Sequence, residues 1–161
     1  MTGTDCIDSV IILGILLEEN IAEFQDYVRT IGYKSRNKGL LTIQLVGEIF
    51  TNLFLKISKN VEEPIMRKVL IEKAVEFFDE VIMDLLQQEL LTISKIKDGD
   101  YQYISRIKEL DYAITDDDAL HLSSAINNKC QRFITIDKAL LNERFRGSIH
   151  SEFGLMIAKP S

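Results

Sequence analysis

Arg132-Phe133-Ile134-Thr135-Ile136-Asp137 is the stretch that decides the fold class. Phe, Ile and Thr fit a pleated, half-buried surface better than a helix. The run is bounded by polar Lys129 and Gln131 before it and by Asp137-Lys138 after it, so it reads as a strand over 132–136. A helical pattern precedes it, opened by Thr115 and running to 128, and another follows over 138–145. Short strands alternating with helices are the signature of an α/β domain built on a parallel sheet.

The same alternation extends outward in both directions. A strand over 4–8 leads into a helix over 9–19 that is apolar nearly all round, hence buried. Residues 20–31 place Ile21, Phe24, Tyr27, Val28 and Ile31 on one helical stripe, and Lys34, Arg36, Lys38 and Gly39 mark a basic loop. A strand over 40–42 precedes a helix over 43–58. Asn60 reads as the cap of the next helix, which tolerates Pro64 only in its first turn and runs to 88. Residues 90–94 alternate as a strand. Asp98-Gly99-Asp100 starts a helix to 113, and 155–158 form a last strand. Repeats, low-complexity tracts and Pro/Gly/Ser linkers are absent, so a single domain over 1–161 is expected.

A chain of 161 residues is about one domain on the usual ~100–200 residues per domain. Apolar content of 46% with 27% charged residues excludes a disordered chain. Cys6 and Cys130 are too few for a disulfide scaffold or a four-thiolate zinc site, so a reducing cytosol and a cytoplasmic protein are expected. The longest apolar run, 10–17, is far short of the ~20 residues a membrane span needs. Asp5 and Asp8 precede it where a signal peptide would carry Lys or Arg. A net charge of −6 argues against a sequence-blind nucleic-acid coat protein, but not against an enzyme with a local basic rim.

Four carboxylates stand out by position. Asp8 ends the first strand and Asp137 the strand after 132. In open parallel sheets ligands bind beyond the carboxyl ends of strands, so both would face one crevice. Asp118 falls in the first turn of the helix opened by Thr115, and Glu48 two turns into the helix after the second strand. Each also has an ordinary reading. Asp8 favours the positive end of the next helix. Asp118 completes a capping box with Thr115, Glu48 shares a solvated stripe with Gln44, Asn52 and Lys56, and Asp137 is a turn residue. Taken together they point further. Carboxylates gathered in one crevice repel, and a divalent cation removes the penalty. Oxygen ligands without a Cys or His cluster select a hard ion, Mg²⁺ or Mn²⁺. Such an ion activates water and shields phosphate charge.

Four segments carry a family resemblance: Cys6-Ile7-Asp8-Ser9-Val10-Ile11-Ile12; Leu40-Leu41-Thr42 followed by Val46-Gly47-Glu48-Ile49; Asp118-Ala119-Leu120-His121-Leu122-Ser123-Ser124-Ala125; and Phe133-Ile134-Thr135-Ile136-Asp137-Lys138. In order and rough spacing they resemble the PIN-domain family, which includes the VapC-like toxins. The resemblance implies a three-layer α/β/α fold with a short, mainly parallel sheet. It also implies a metal-dependent ribonuclease with Asp8, Glu48, Asp118 and Asp137 as its acidic tetrad. Small members of this kind are often dimeric toxins neutralised by an antitoxin protein, so RNA, an antitoxin and a second copy are the partners implied. Val10 departs from the Asn or Ser often found there, and the segment between Glu48 and Asp118 is long for a compact toxin.

Around the tetrad, Ser9, Thr135 and Asp116 are candidates to orient ligands. Lys138, Arg132 and Arg144 are candidates to hold an RNA backbone. His121 reads as a partly buried histidine bonded to a carboxylate, and His150 as a surface residue. The competing functions are a catalytically silent RNA- or protein-binding module on the same fold and a receiver-like phosphotransfer domain. The latter needs an adjacent acidic pair that Asp5 and Asp8, three apart, do not supply.

Overall fold

The computed structural model describes residues 3–17, 22–33 and 36–161. Five strands form one all-parallel sheet in the order β3-β2-β1-β4-β5. They are β1 (Thr4–Ile7), β2 (Lys38–Thr42), β3 (Leu91–Ser94), β4 (Arg132–Ile134) and β5 (Met156–Ala158). Two helical groups flank the sheet. The first comprises α1 (Ser9–Leu16), α2 (Ala22–Arg29), α3 (Ile43–Asn60) and α4 (Pro64–Gln87), with α1 packed against the other three. The second comprises α5 (Ile104–Leu110), α6 (Asp116–Asn127) and α7 (Glu143–Phe153), with α5 between the other two. The expected α/β/α architecture is present.

Strand order follows from the chain's path. It steps from β1 outward through β2 to β3, then returns to the other side of β1 for β4 and β5. The direction of winding reverses between β1 and β4, where Cys6 pairs with Phe133 and Ile7 with Ile134. Both strands are buried on both faces, as a central parallel strand must be. Gly39 in β2 is closely approached: a Cβ there would lie 2.7 Å from Leu91 Cδ1 and 3.0 Å from Ile7 Cδ1, so those methyl groups would have to shift.

The helices bury regular stripes. Leu45, Ile49, Leu53 and Ile57 recur at four-residue steps along α3 and are all buried, each contributing roughly 1.5–3 kcal/mol. On α4 the buried stripe is Ala74, Phe78, Ile82 and Leu85, at steps of four, four and three. Within the described residues, no helix is long and apolar enough to cross a membrane.

Several boundaries differ from the sequence reading, each for a local reason. The helix after α3 is capped by Glu63, whose carboxylate accepts from Ile65 N (3.0 Å) and Met66 N (2.7 Å), while Asn60 is the last residue of α3. Residues 98–113 are not one helix. A 3₁₀ turn, Asp98–Tyr101, comes first because Asp100 turns its carboxylate back to Lys97 N (3.0 Å), and α5 begins only at Ile104. β4 ends at Ile134, since Thr135 and Asp137 bond to each other across the strand end. The last helix starts not at 138 but at Glu143, where Asn142 caps Phe145 N at 3.2 Å. It ends at Gly154 in the left-handed conformation (φ 73°), the usual glycine stop. The ends of α1 and the start of α2 expected over 17–21, including Ile21, and Lys34 of the basic loop lie partly or wholly outside the described residues.

At the amino edge of the sheet, Asp5 is 1% exposed and accepts four bonds: Arg132 Nε (2.9 Å), Arg132 Nη2 (2.6 Å), Tyr27 Oη (2.7 Å) and Asn37 Nδ2 (2.7 Å). Removing Arg132 strands a buried carboxylate. Arg132→Met is expected to cost roughly 3–5 kcal/mol in urea denaturation; a loss under about 1 kcal/mol would show that Tyr27 and Asn37 alone satisfy Asp5.

Candidate active site

Asp8 follows β1 directly and occupies the cap position of α1, yet its side chain caps nothing in that helix. The carboxylate instead accepts from Thr135 Oγ1 at 2.7 Å, across the point where the winding reverses. Thr135 is fully buried and bonded on both sides, because its Oγ1 also accepts from Asp137 N at 3.0 Å. Asp137 Oδ1 then accepts from Ala139 N at 2.8 Å, which turns the chain away from the sheet. One hydroxyl thus ties the Asp8 carboxylate to the backbone of Asp137.

Glu48 reaches the same region from the second turn of α3. Ser9 Oγ donates to its Oε1 at 2.7 Å, and His121 Nε2 lies 2.6 Å from Oε2. An ionised carboxylate only accepts, so the His121 proton sits on Nε2. His121 is 3% exposed, and its Nδ1 is buried without a partner. The expectation of a histidine bonded to a carboxylate holds, but the partner is Glu48 on α3 rather than an aspartate of its own helix. The solvated-stripe reading of Glu48 fails for the same reason. Gln44, one turn earlier, also departs from it: both polar atoms of its amide are buried and unpartnered. The four-residue spacing to Glu48 was the signal that could have marked it.

Asp118 enters from the first turn of α6. Thr115 Oγ1 accepts from its N–H at 3.1 Å, so Thr115 caps α6, the one half of the expected capping box that the described residues show. The side chain is half-buried and feels the charges of Asp137 and Glu48. Asp116 turns outward instead: its side chain is 89% exposed and pairs with Lys108 Nζ at 3.1 Å. Lys138 is exposed beside Asp137, and Arg144 is exposed in the first turn of α7. Arg132 sits at the opposite end of β4, committed to Asp5.

The electrostatics divide the carboxylates into two kinds. Burial raises Asp8 above the usual carboxylate range and Glu48's charge adds to the shift, with the Thr135 bond and His121 opposing. Burial likewise raises Asp118, helped by Asp137 and Glu48 and opposed by Thr115 and His121. Glu48 is lowered, chiefly by the His121 bond and then by Ser9, against its own burial. For His121, burial pulls downward, but the Glu48 bond and the charges of Glu48, Asp8 and Asp118 outweigh it and the net shift is upward. Burial thus disfavours the ionised forms of Asp8 and Asp118, while the charge of His121 favours them. Among the described residues, no three His, Cys, Asp or Glu side chains are grouped as a ready ligand set. The donor chemistry still suits a hard cation: oxygen atoms on carboxylates whose ionised form burial and mutual repulsion disfavour.

No protein-family model and no curated protein matches the chain. Among solved structures, it is similar to a chain of VapBC2 from Rickettsia felis bound to a DNA fragment from the promoter. The two share 13% identity with a TM-score of 0.61, over 98% of this chain and 99% of that one. At that identity the likeness shows the fold, which is the PIN-like α/β/α arrangement expected from the sequence.

The shifts fix a pH dependence. His121, raised above its ordinary 6.5, contributes stability that is full below 6.5 and lost as pH rises through the raised value. Glu48, lowered from 4.5, contributes stability present above 4.5 and lost as pH falls through the lowered value. The stability gap between the wild type and His121→Gln in urea is expected to be widest near pH 5.5 and to narrow toward pH 9. A gap that does not vary with pH would mean that the pair forms uncharged.

Proposed function

We propose that the chain is a PIN-family, Mg²⁺- or Mn²⁺-dependent endoribonuclease and the toxin of a toxin–antitoxin pair. The observation that supports the reading is electrostatic: the charge of Glu48 raises Asp8, and the charges of Asp137 and Glu48 raise Asp118. Two of the four have their ionised forms disfavoured. These four would hold the ion. When bound, it would supply an activated water and shield the phosphate charge. Thr135 fixes Asp8, and Ser9 with His121 fixes both oxygens of Glu48. Lys138 and Arg144, exposed at the same edge, would hold the RNA backbone. Arg132, at the far edge, is not part of this set.

The VapBC toxin–antitoxin neighbour supports an antitoxin partner. A homodimer is supported by the exposed apolar side chains of α4, Ile65, Met66, Val69, Phe77 and Met83; light scattering at micromolar concentration is expected to give twice the 18.4 kDa chain mass.

One observation favours a second reading, a silent RNA- or protein-binding module. Ser9 and His121 each already hold one oxygen of Glu48, so a cation there must share oxygens that accept hydrogen bonds.

Cleavage assays separate the two. The purified protein is expected to cut RNA in Mg²⁺ or Mn²⁺ and stop in EDTA, leaving 5′-phosphate and 3′-hydroxyl ends. Asp8→Asn removes activity while the fold persists. Thr135→Val costs roughly 10–100-fold, and His150→Ala is silent. Intact RNA under all metal conditions supports the silent module. Cyclic 2′,3′-phosphate ends with full activity in EDTA would overturn the carboxylate mechanism, since that chemistry needs a general acid and base.

A further inference from the structure

The amino edge of the sheet holds a second polar cleft that the proposed nuclease chemistry does not use. Its volume is about 400 Å³, and Arg36, Asn37, Gln131, Arg132 and Ser161 line it. That size falls in the ~300–1,000 Å³ range of small-ligand pockets. The cleft lies at the amino end of β4, whereas Asp137 follows its carboxyl end.

Its charge balance is uneven. Asp5 beneath it is buried and spends its full acceptor capacity on Arg132, Tyr27 and Asn37. Arg132 is therefore neutralised through Nε and Nη2, and Nη1 is left uncommitted. Asn37 is spent as well: Oδ1 accepts from Gly3 N at 3.1 Å, and Nδ2 serves Asp5 and Gln131 Oε1. Arg36 has no such balance. Its Nη1 is buried and finds no acceptor. A charged donor withdrawn from water without an acceptor is costly and rare in native proteins. Among the described residues, the lining holds no Asp or Glu side chain to supply one.

We propose that this cleft binds a phosphate group, with Arg36 as its principal ligand and the free edge of Arg132 as the second. Guanidinium forks match phosphate oxygens in geometry, and the unbalanced charge of Arg36 beside the free Nη1 of Arg132 favours an oxyanion over a neutral ligand. The bound group supplies the acceptor that Arg36 Nη1 lacks. The site is independent of the carboxylates at the other edge and needs no metal.

Isothermal titration in EDTA tests it with inorganic phosphate, AMP and adenosine as probes. Phosphate and AMP are expected to bind saturably and adenosine not at all. Arg36→Gln is expected to weaken binding at least about tenfold, the loss of one charge-assisted bond, with an unchanged melting temperature in the absence of phosphate. Asp8→Asn should bind as the wild type does, which separates this site from the nuclease reading. Binding only of AMP would move recognition to the base or sugar and overturn the phosphate assignment. So would the absence of saturable binding, or binding insensitive to Arg36→Gln. If Arg36→Gln proves unstable, Arg36→Lys serves instead: it keeps the charge, loses the fork and is expected to bind more weakly than the wild type.

Discussion

A parallel sheet sends the carboxyl end of every strand to the same edge, and here the two central strands each lead into an aspartate there. Asp8 leaves β1 and Asp137 follows β4, the two strands between which the winding reverses. Neither can move away without breaking the strand that delivers it. The helices that return over the sheet add Glu48 and Asp118. Mutual repulsion at this edge is thus built in by topology, and the surrounding polar groups are arranged around it. Thr135 is the clearest case: a fully buried hydroxyl that donates to one strand-end carboxylate while accepting from the backbone of the other.

The opposite edge solves the same problem differently. Asp5 is more deeply buried than Asp8, 1% against 8% exposed, yet it meets a bidentate arginine, a tyrosine and an asparagine. Its neighbour Tyr27 is raised, by burial first and then by Asp5's charge and hydrogen bond, which keeps the phenol a donor. The amino edge is a satisfied network that fixes β1 to β4. The carboxyl edge leaves Asp8 and Asp118 short of compensation. A structural carboxylate resembles Asp5. A carboxylate kept for chemistry or ligand binding resembles Asp8, since perturbed groups concentrate where function resides.

Much of this was legible in the sequence because strand and helix periods are local. Phe133-Ile134 as a strand, the stripe through Leu45 and Ile57, and the Thr115 cap all depend on neighbours within a turn or two. The four carboxylates were legible for the same reason: their positions relative to element ends can be read off the chain. The failures are equally physical. Asn60 and Glu63 are both able to cap, and only the path of the loop decides between them. The break before α5 depends on Asp100 folding back and on Asn127 of α6 holding it at 2.8 Å, a contact 27 residues away. Arg132 looked adjacent to Asp137 in sequence, but a strand separates its two ends by its own length.

Glu48 shows most clearly what pattern alone does not reach. On its helix it continues a polar stripe, and by spacing it belongs with the solvated Asn52. Two distant residues change its character: Ser9, 39 positions before it, and His121, 73 positions after it. Each takes one oxygen, and the histidine supplies the positive charge that lowers Glu48 while its neighbours rise. The protein thus neutralises one carboxylate of four internally and leaves the repulsion among the others in place. That division is informative about design. If the cluster were merely tolerated, a second cation beside Asp118 would be the simplest remedy, and Lys108, in reach of the first turn of α6, is instead bonded to Ile114 O and paired with Asp116 on the outer side. Lys108 is thus spent on Ile114 and Asp116, and His121 is the cation whose charge reaches Glu48, Asp8 and Asp118 together.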